Sequence, residues 1–315
     1  MGRRCISKNT VIKLVKTISV AAVAATLLTT VSNASQAMKI HWFGTSNIVI
    51  DDGENAIAFD PFFSRPGLWD LFSLSTLKPD PEVIEHWLSK SPISKIKGVF
   101  VSHSHYDHIL DLVPLAKKFS SQVFVDDNGR TIAMFQGYQE NLIKIQKVNE
   151  IYSVGKFSVE VLRSGHAPHL WGKVFMSGKI KSPFPREASF LDYKNQDCFS
   201  YLIRHPQLTI LFAPSSFEDV ERKNVTVDLI IQGIAARKSS ESLLKNLVIP
   251  YRPKAVMPVH HDNFFRRLDA GQEVPSGVAL DEFIQTTKQL APEVVVIQPQ
   301  YGKPIEIGAL NKLRH

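Results

Sequence analysis

The sequence predicts an α/β fold in which helices cover β-sheet, and three observations carry that prediction. Short, strongly apolar runs recur from residue 39 to residue 297. The earliest follow one another closely enough to be hairpins, and several of the later ones are separated by stretches of helical periodicity. Strands that must be covered by helices lose both faces to the interior, so they read as continuous apolar runs.

Taken in order, strand-like runs at 39–43, 47–50 and 56–59 come first. Residues 81–90 read as a helix, with Pro81 at its start, where its missing N–H costs nothing, and Val83, Ile84 and Trp87 on one side. A strand at 98–101, a helix at 110–119 and a strand at 122–125 follow. Further strands are expected at 157–162, 199–203, 208–212, 227–231 and 255–259, then a helix at 280–290 and a strand at 293–297. Residues 61–80 are rich in Phe, Leu, Ser and Pro; as a loop, they either wall a substrate pocket or pack on the core.

The first 37 residues stand apart. Arg3, Arg4, Lys8, Lys13 and Lys16 precede an apolar run from 18 to 31, and small residues lead to Ala34 and Ala37. That is the layout of a secretory signal peptide, with cleavage after either alanine. The run is short for a membrane span of about 20 residues, so membrane association is expected only if the segment stays uncleaved. Residues 1–37 are therefore read as a signal peptide and 38–315 as a single domain, exported to the periplasm or beyond. Removing five basic residues and no acidic ones from a net charge of +7 leaves +2. So small a charge does not suggest a nucleic-acid binder, and a small-molecule substrate is the expected partner. Cys5 leaves with the segment, so Cys198 has no partner for an intramolecular disulfide and reads as a buried thiol.

The chemistry is concentrated in Val101-Ser102-His103-Ser104-His105-Tyr106-Asp107-His108, which begins where an apolar strand ends. Imidazole nitrogen and carboxylate oxygen suit a zinc-like divalent cation, and burying them without partners is costly. His166 follows the strand at 157–162 and His260 the strand at 255–259, so both are placed to converge on the cluster from distant loops.

His-x-His-x-Asp-His after a strand resembles the signature of the metallo-β-lactamase superfamily, supported by residues 38–44 as an opening strand and 56–62 ending in Asp-Pro. The resemblance covers nearly all of the chain after residue 37. It implies a four-layer αββα sandwich. It further implies that His103, His105 and His166 hold one metal, and Asp107, His108 and His260 a second, with zinc or another divalent ion as the cofactor. Asp60 and Asp111 are candidates to orient ligating histidines, although Asp111 also suits a helix N-terminus. His169 and His261 are candidates to protonate a leaving group, or are loop histidines without that role. Ser215 stands where many members place an aspartate that bridges two metals. A hydroxyl brings no negative charge, so a second ion is expected to bind more weakly or to rely on Asp107, His108, His260 and water. The count is one or two. Residues 102–111, 177–180 and 258–265 resemble a little-characterised, lactonase-like branch in which serine is usual at this point.

The activity implied is a metal-dependent hydrolase, in which a metal-bound hydroxide cleaves an ester, lactone or related bond and Asp107 orients the water or takes its proton. The alternatives are a phosphodiesterase acting on a phospholipid-like substrate and a catalytically silent metal-binding protein.

Overall fold

The computed structural model describes residues 37–168, 173–216 and 218–308, together with Gly2. From Ala37 onward these form one compact unit. Among them the strands make two seven-stranded sheets. The first holds β1 (Lys39–Trp42), β2 (Ile48–Asp51), β3 (Ala56–Phe59), β4 (Ile96–Phe100), β5 (Gln122–Val125) and β6 (Ile143–Ile145), in that spatial order. The second holds β7 (Ile151–Val154), β8 (Phe157–Ser164), β9 (Cys198–His205), β10 (Leu208–Ala213), β11 (Leu229–Gly233), β12 (Ala255–Val259) and β13 (Val295–Val296), again in order. The last strand, β14 (Ile305–Glu306), returns to the first sheet beside β1. Each sheet begins antiparallel and ends parallel.

Helices cover the two outer faces. Against the first sheet lie α1 (Leu68–Phe72), α2 (Pro81–Lys90), α3 (Tyr106–Ile109), α4 (Leu112–Phe119) and α5 (Asp127–Phe135). Against the second lie α6 (Ser240–Leu243), α7 (Ile249–Tyr251) and α8 (Leu280–Leu290). The result is the helix–sheet–sheet–helix order, and three apolar clusters fill the three spaces between four layers. Strand alternation sorts side chains among them. Ile57 and Phe59 of β3 face Tyr201 and Phe212 in the space between the sheets, while Ala56 and Ala58 face α2 and α4. Tyr201 and Ile203 of β9 point inward, and Leu202 points out toward α6 and α8. Phe59, Phe100, Phe124, Tyr201 and Phe212 are buried in the middle layer, each contributing roughly 1.5–3 kcal/mol of transfer free energy.

The helix ends follow from local sequence. Asp80 accepts from the N–H groups of Glu82 and Val83 and so caps α2, and Pro81 occupies the first position. The helix expected at 110–119 starts at Leu112, and a separate short helix, Tyr106–Ile109, forms within the histidine cluster; between them Asp111 turns its carboxylate to accept from the backbone of Phe63 at 2.5 Å and Ser64 at 2.7 Å. The strand expected at 293–297 pairs over Val295–Val296 alone.

The loop at 61–80 divides between its two expected roles. Phe62 and Phe63 are core residues, α1 forms where a loop was expected, and Leu71 of α1 faces a cavity while Trp69 and Phe72 are exposed.

Candidate metal centre

The site lies where strand ends of both sheets meet. β3 and β4 are parallel, so Asp60 and the 103–108 segment leave their sheet on the same edge. β9 is antiparallel to both β8 and β10, and β10, β11 and β12 are parallel, so β8, β10 and β12 run the same way. They deliver His166, Ser215 and His260 to the facing edge. Gly233 at the end of β11 allows this convergence, because a Cβ there would lie 1.9 Å from the carbonyl oxygen of Pro214.

His103, His105 and His166 form one group whose ligand atoms lie within 4.8 Å of one another. Their rings stand edge to face, with all three centroid separations at 4.8 Å. Hydrogen bonds fix which nitrogen of each faces inward. Ser102 donates its hydroxyl to Asp60 Oδ2 at 2.7 Å, so its oxygen accepts from His103 Nδ1 at 3.0 Å. That leaves His103 Nε2 with a lone pair, and it is buried without a protein partner. His166 Nδ1 donates to the Ala167 carbonyl at 2.6 Å, and His105 Nε2 to the Met176 carbonyl at 3.3 Å. His166 therefore offers Nε2 and His105 offers Nδ1.

Asp107, His108 and His260 form the second group, under the same 4.8 Å limit. Asp107 Oδ2 lies 3.5 Å from His108 Nε2 and 3.3 Å from His260 Nε2. His108 gives Nδ1–H to Asp60 Oδ2 at 2.8 Å. Asp60 also accepts from the Ser102 backbone at 2.6 Å, so one carboxylate orients His108 directly and His103 through Ser102. Asp60 and His260 both have positive φ, 46° and 53°, a conformation a non-glycine residue holds only when its surroundings enforce it.

Electrostatics agree with a cation site. Burial, and then the neighbouring imidazoles, hold His103 well below its ordinary pKa, so it is neutral and able to ligate. Burial alone would push the Asp107 carboxyl up, but His108 and His260 hold it well below the usual carboxylate range. Burial lowers His108, yet Asp107 and Asp60 raise it further than burial depresses it. Two convergent sets of three donors, one with an orphaned buried nitrogen and the other with an anion at its centre, fit divalent ions such as zinc.

The remaining candidates are placed as follows. Ser215 lines the cavity, and its hydroxyl accepts from the Ala167 N–H at 2.9 Å, bracing the His166 loop. Asp111 touches no ligating histidine; it anchors the 63–64 backbone, which corrects the orienting role expected of it. His261 is buried on the far side of its loop, stacked on Trp42 with centroids 4.9 Å apart, and burial pushes it down to about 4. It does not line the cavity, so it is not placed to protonate a leaving group. His169 lies outside the described residues. Cys198 is buried and its thiol is pushed up by burial.

The cavity above the two groups holds about 350 Å³. Leu71, Met176, Phe190, Phe264 and Phe265 form its apolar walls, Tyr106, Ser215 and Ser216 bring hydroxyls, and no Lys or Arg is among the described lining residues. Sequence reasoning anticipated the 61–80 loop, which supplies Leu71, but not Met176, Phe190, Phe264 and Phe265, which come from three further segments with no common spacing. It also missed Arg65, whose side chain is 1% exposed and pairs with Asp262 at 2.6 Å behind the site.

Comparison with known proteins agrees with the geometry. A metal-dependent hydrolase of the UPF0173 group from Methylacidiphilum infernorum is 33% identical over 86 residues, 27% of this chain and 30% of that protein. Another from Anaeromyxobacter sp. is 21% identical over 273 residues, 85% of this chain and 86% of that protein. Among solved structures, the metallo hydrolase Igni18 of Ignicoccus hospitalis aligns with a TM-score of 0.53 at 13% identity, over 86% of this chain and 98% of that one. YhfI from Bacillus subtilis, a metallo-β-lactamase fold protein, gives 0.51 at 15% identity, over 85% and 99%. The family described as the β-lactamase superfamily domain matches residues 55–296. That stretch contains every residue of both ligand groups and most of both sheets, and on it the chain belongs to the β-lactamase superfamily.

Proposed function

We propose that this metal-dependent hydrolase of the β-lactamase superfamily cleaves the ester or lactone bond of an uncharged substrate with an apolar substituent, using zinc, after export from the cytoplasm. The observation that carries the substrate class is the cavity wall. Mostly apolar side chains and three hydroxyls line it together with the ligand groups, and no Lys or Arg is among the described lining residues. A phosphodiester or a β-lactam carboxylate would bring a permanent negative charge that only the metal groups could offset, because no Lys or Arg is among the described residues of this largely apolar cavity, and charge set against apolar walls is costly. A neutral ester brings none. Export is supported by the basic start, short apolar run and small residues of 1–37.

Divalent ions held by the two groups would acidify a water to a pKa of about 7 and offset charge growing on the attacked carbonyl oxygen. The chain's own residues do the rest. Asp107 stays anionic and accepts a hydrogen bond, aiming the attacking water. Asp60 keeps His108 in one tautomer and, through Ser102, keeps His103 in its own. Leu71, Phe190 and Phe264 hold the apolar substituent and exclude bulk water, while Tyr106, Ser215 and Ser216 meet the polar end. Metal analysis of the purified protein, with hydrolysis of an aryl ester, an alkyl lactone and an aryl phosphodiester, tests the reading. Bound zinc with ester and lactone turnover is expected. His105→Ala should lose at least about 100-fold in rate with unchanged circular dichroism, a ligand mattering no less than its supporting partners. Phosphodiester turnover alone would overturn the substrate class, and zinc binding without any turnover would favour a silent binding protein.

A further inference from the structure

We propose that the buried Arg65–Asp262–Tyr301 triad is a positioning device for the Asp107/His108/His260 group and not for the His103/His105/His166 group. The inference rests on the metal reading above. His260 follows β12 in a left-handed conformation, and its own N–H donates to the Thr45 carbonyl at 2.8 Å. Two residues on, Asp262 is fixed by three donors: Thr45 N–H at 2.8 Å, Arg65 Nη2 at 2.6 Å and the Tyr301 hydroxyl at 2.6 Å. Thr45 thus grips the loop at two points, one on each side of His261.

Arg65 makes the connection general. Its guanidinium also donates to the Phe43 carbonyl at 3.3 Å, the Asn263 and Arg266 carbonyls at 3.4 Å each, and the Tyr301 hydroxyl at 3.2 Å. Four stretches of chain are tied at one point: the β1–β2 turn, the segment after β3, the segment after β12 and the C-terminal Tyr301. Two of them carry groups that hold the second trio, namely Asp60, which bonds to His108 directly but reaches His103 of the first trio only through Ser102, and His260 itself. The loop that carries His166 makes none of these bonds.

Gly44 shows how closely the parts fit. Its φ is +87°, and a Cβ there would lie 1.7 Å from Arg65 Nη2 and 2.6 Å from Asp262 Oδ2. A buried ion pair rarely improves on apolar packing for stability alone, because both charges must leave water. Here Arg65 Nη1 and Nη2 and Asp262 Oδ1 bond to backbone of the segments that carry a ligand or its support, the kind of outer contact whose loss changes metal affinity by about 10–100-fold.

The test is zinc titration of the metal-stripped, full-length protein against a chromophoric chelator, comparing native protein with Arg65→Lys and Tyr301→Phe. Tyr301→Phe keeps the ring against Trp42 and Trp87 and keeps the ion pair, so it tests the role even if the arginine variant fails to fold. Two zinc phases are expected in native protein. In each folded variant the tighter phase should be unchanged and the weaker one shifted by about 10–100-fold. Equal weakening of both phases, no weakening of either, or uptake of a single equivalent by native protein would overturn the triad's role. Native protein that takes up no zinc would refute the metal reading itself.

Discussion

Asp60 and Asp111 show how the same side chain, in two buried places, does two kinds of work. Asp60 spends its oxygens on Ser102 and His108, at the ligands. Asp111 spends one oxygen on the backbone that leads into the aromatic segment. Burial pushes the Asp111 carboxyl up to about 6, although hydrogen bonds from Ser64 and Phe63 pull it down. In the unfolded chain an aspartate titrates near about 3.9. The folded chain therefore binds this proton more tightly, so the group's contribution to stability is full below about pH 4 and is lost as pH rises through about 6. Asp111→Asn keeps an acceptor oxygen and cannot ionise. Relative to native protein, its melting temperature should gain on the order of a few degrees between pH 4.5 and pH 7; a constant difference across that range would refute the account. At this scale the sequence was legible where chemistry is local. Four ligand candidates sit within six positions, and His166 and His260 each follow a strand. Arg65, Asp262 and Tyr301 were not legible, because residues separated by 197 and 39 positions share no spacing signal and only the fold makes them neighbours.

Helices and strands were legible in proportion to their apolar content. α2, α8, β3, β5 and β12 lie within the expected bounds because a strong apolar pattern has clear ends. β6 and β14 are three and two residues long and sit at sheet edges, where few side chains need burying. The start of α5, Asp127-Asn128-Gly129, reads as a turn, and its helix depends on Asp126 accepting from Gly129 N–H. Residues 240–251 hide a helix behind Pro250. The turn widens to a π form over Leu244–Val248, and the Asn246 carbonyl, which proline cannot serve, accepts instead from Arg222 at 2.6 Å. α1 and the 190 and 264 segments form the cavity walls, which sets an expectation for specificity. Phe190→Ala should raise KM about 10-fold for an ester with a long apolar tail, one apolar contact being worth about 1–3 kcal/mol. Hydrolysis of a short acetyl ester should hardly change. Equal effects on both substrates would mean that Phe190 shapes the site and not the tail's binding.

Across the molecule, each ligand group takes two residues from the segment after β4 in the first sheet and one from a loop of the second. A bound ion therefore ties the layers together at one edge, and ligand binding to the folded state alone adds stability by mass action, about 2.7 kcal/mol at a free concentration 100 times the dissociation constant. Stripping with a chelator should lower the melting temperature by several degrees, and zinc should restore it; for a chain of this size that energy corresponds to roughly 5–10 °C. An unchanged melting curve would show that no ion bridges the sheets. The division of ligands also orders events in time. His103, His105, Asp107 and His108 emerge early, but neither cage can close until His166 and His260 arrive on a docked second half. A chain whose second half has not docked would therefore present His103, His105, Asp107 and His108 only as incomplete donor sets, open to any divalent ion.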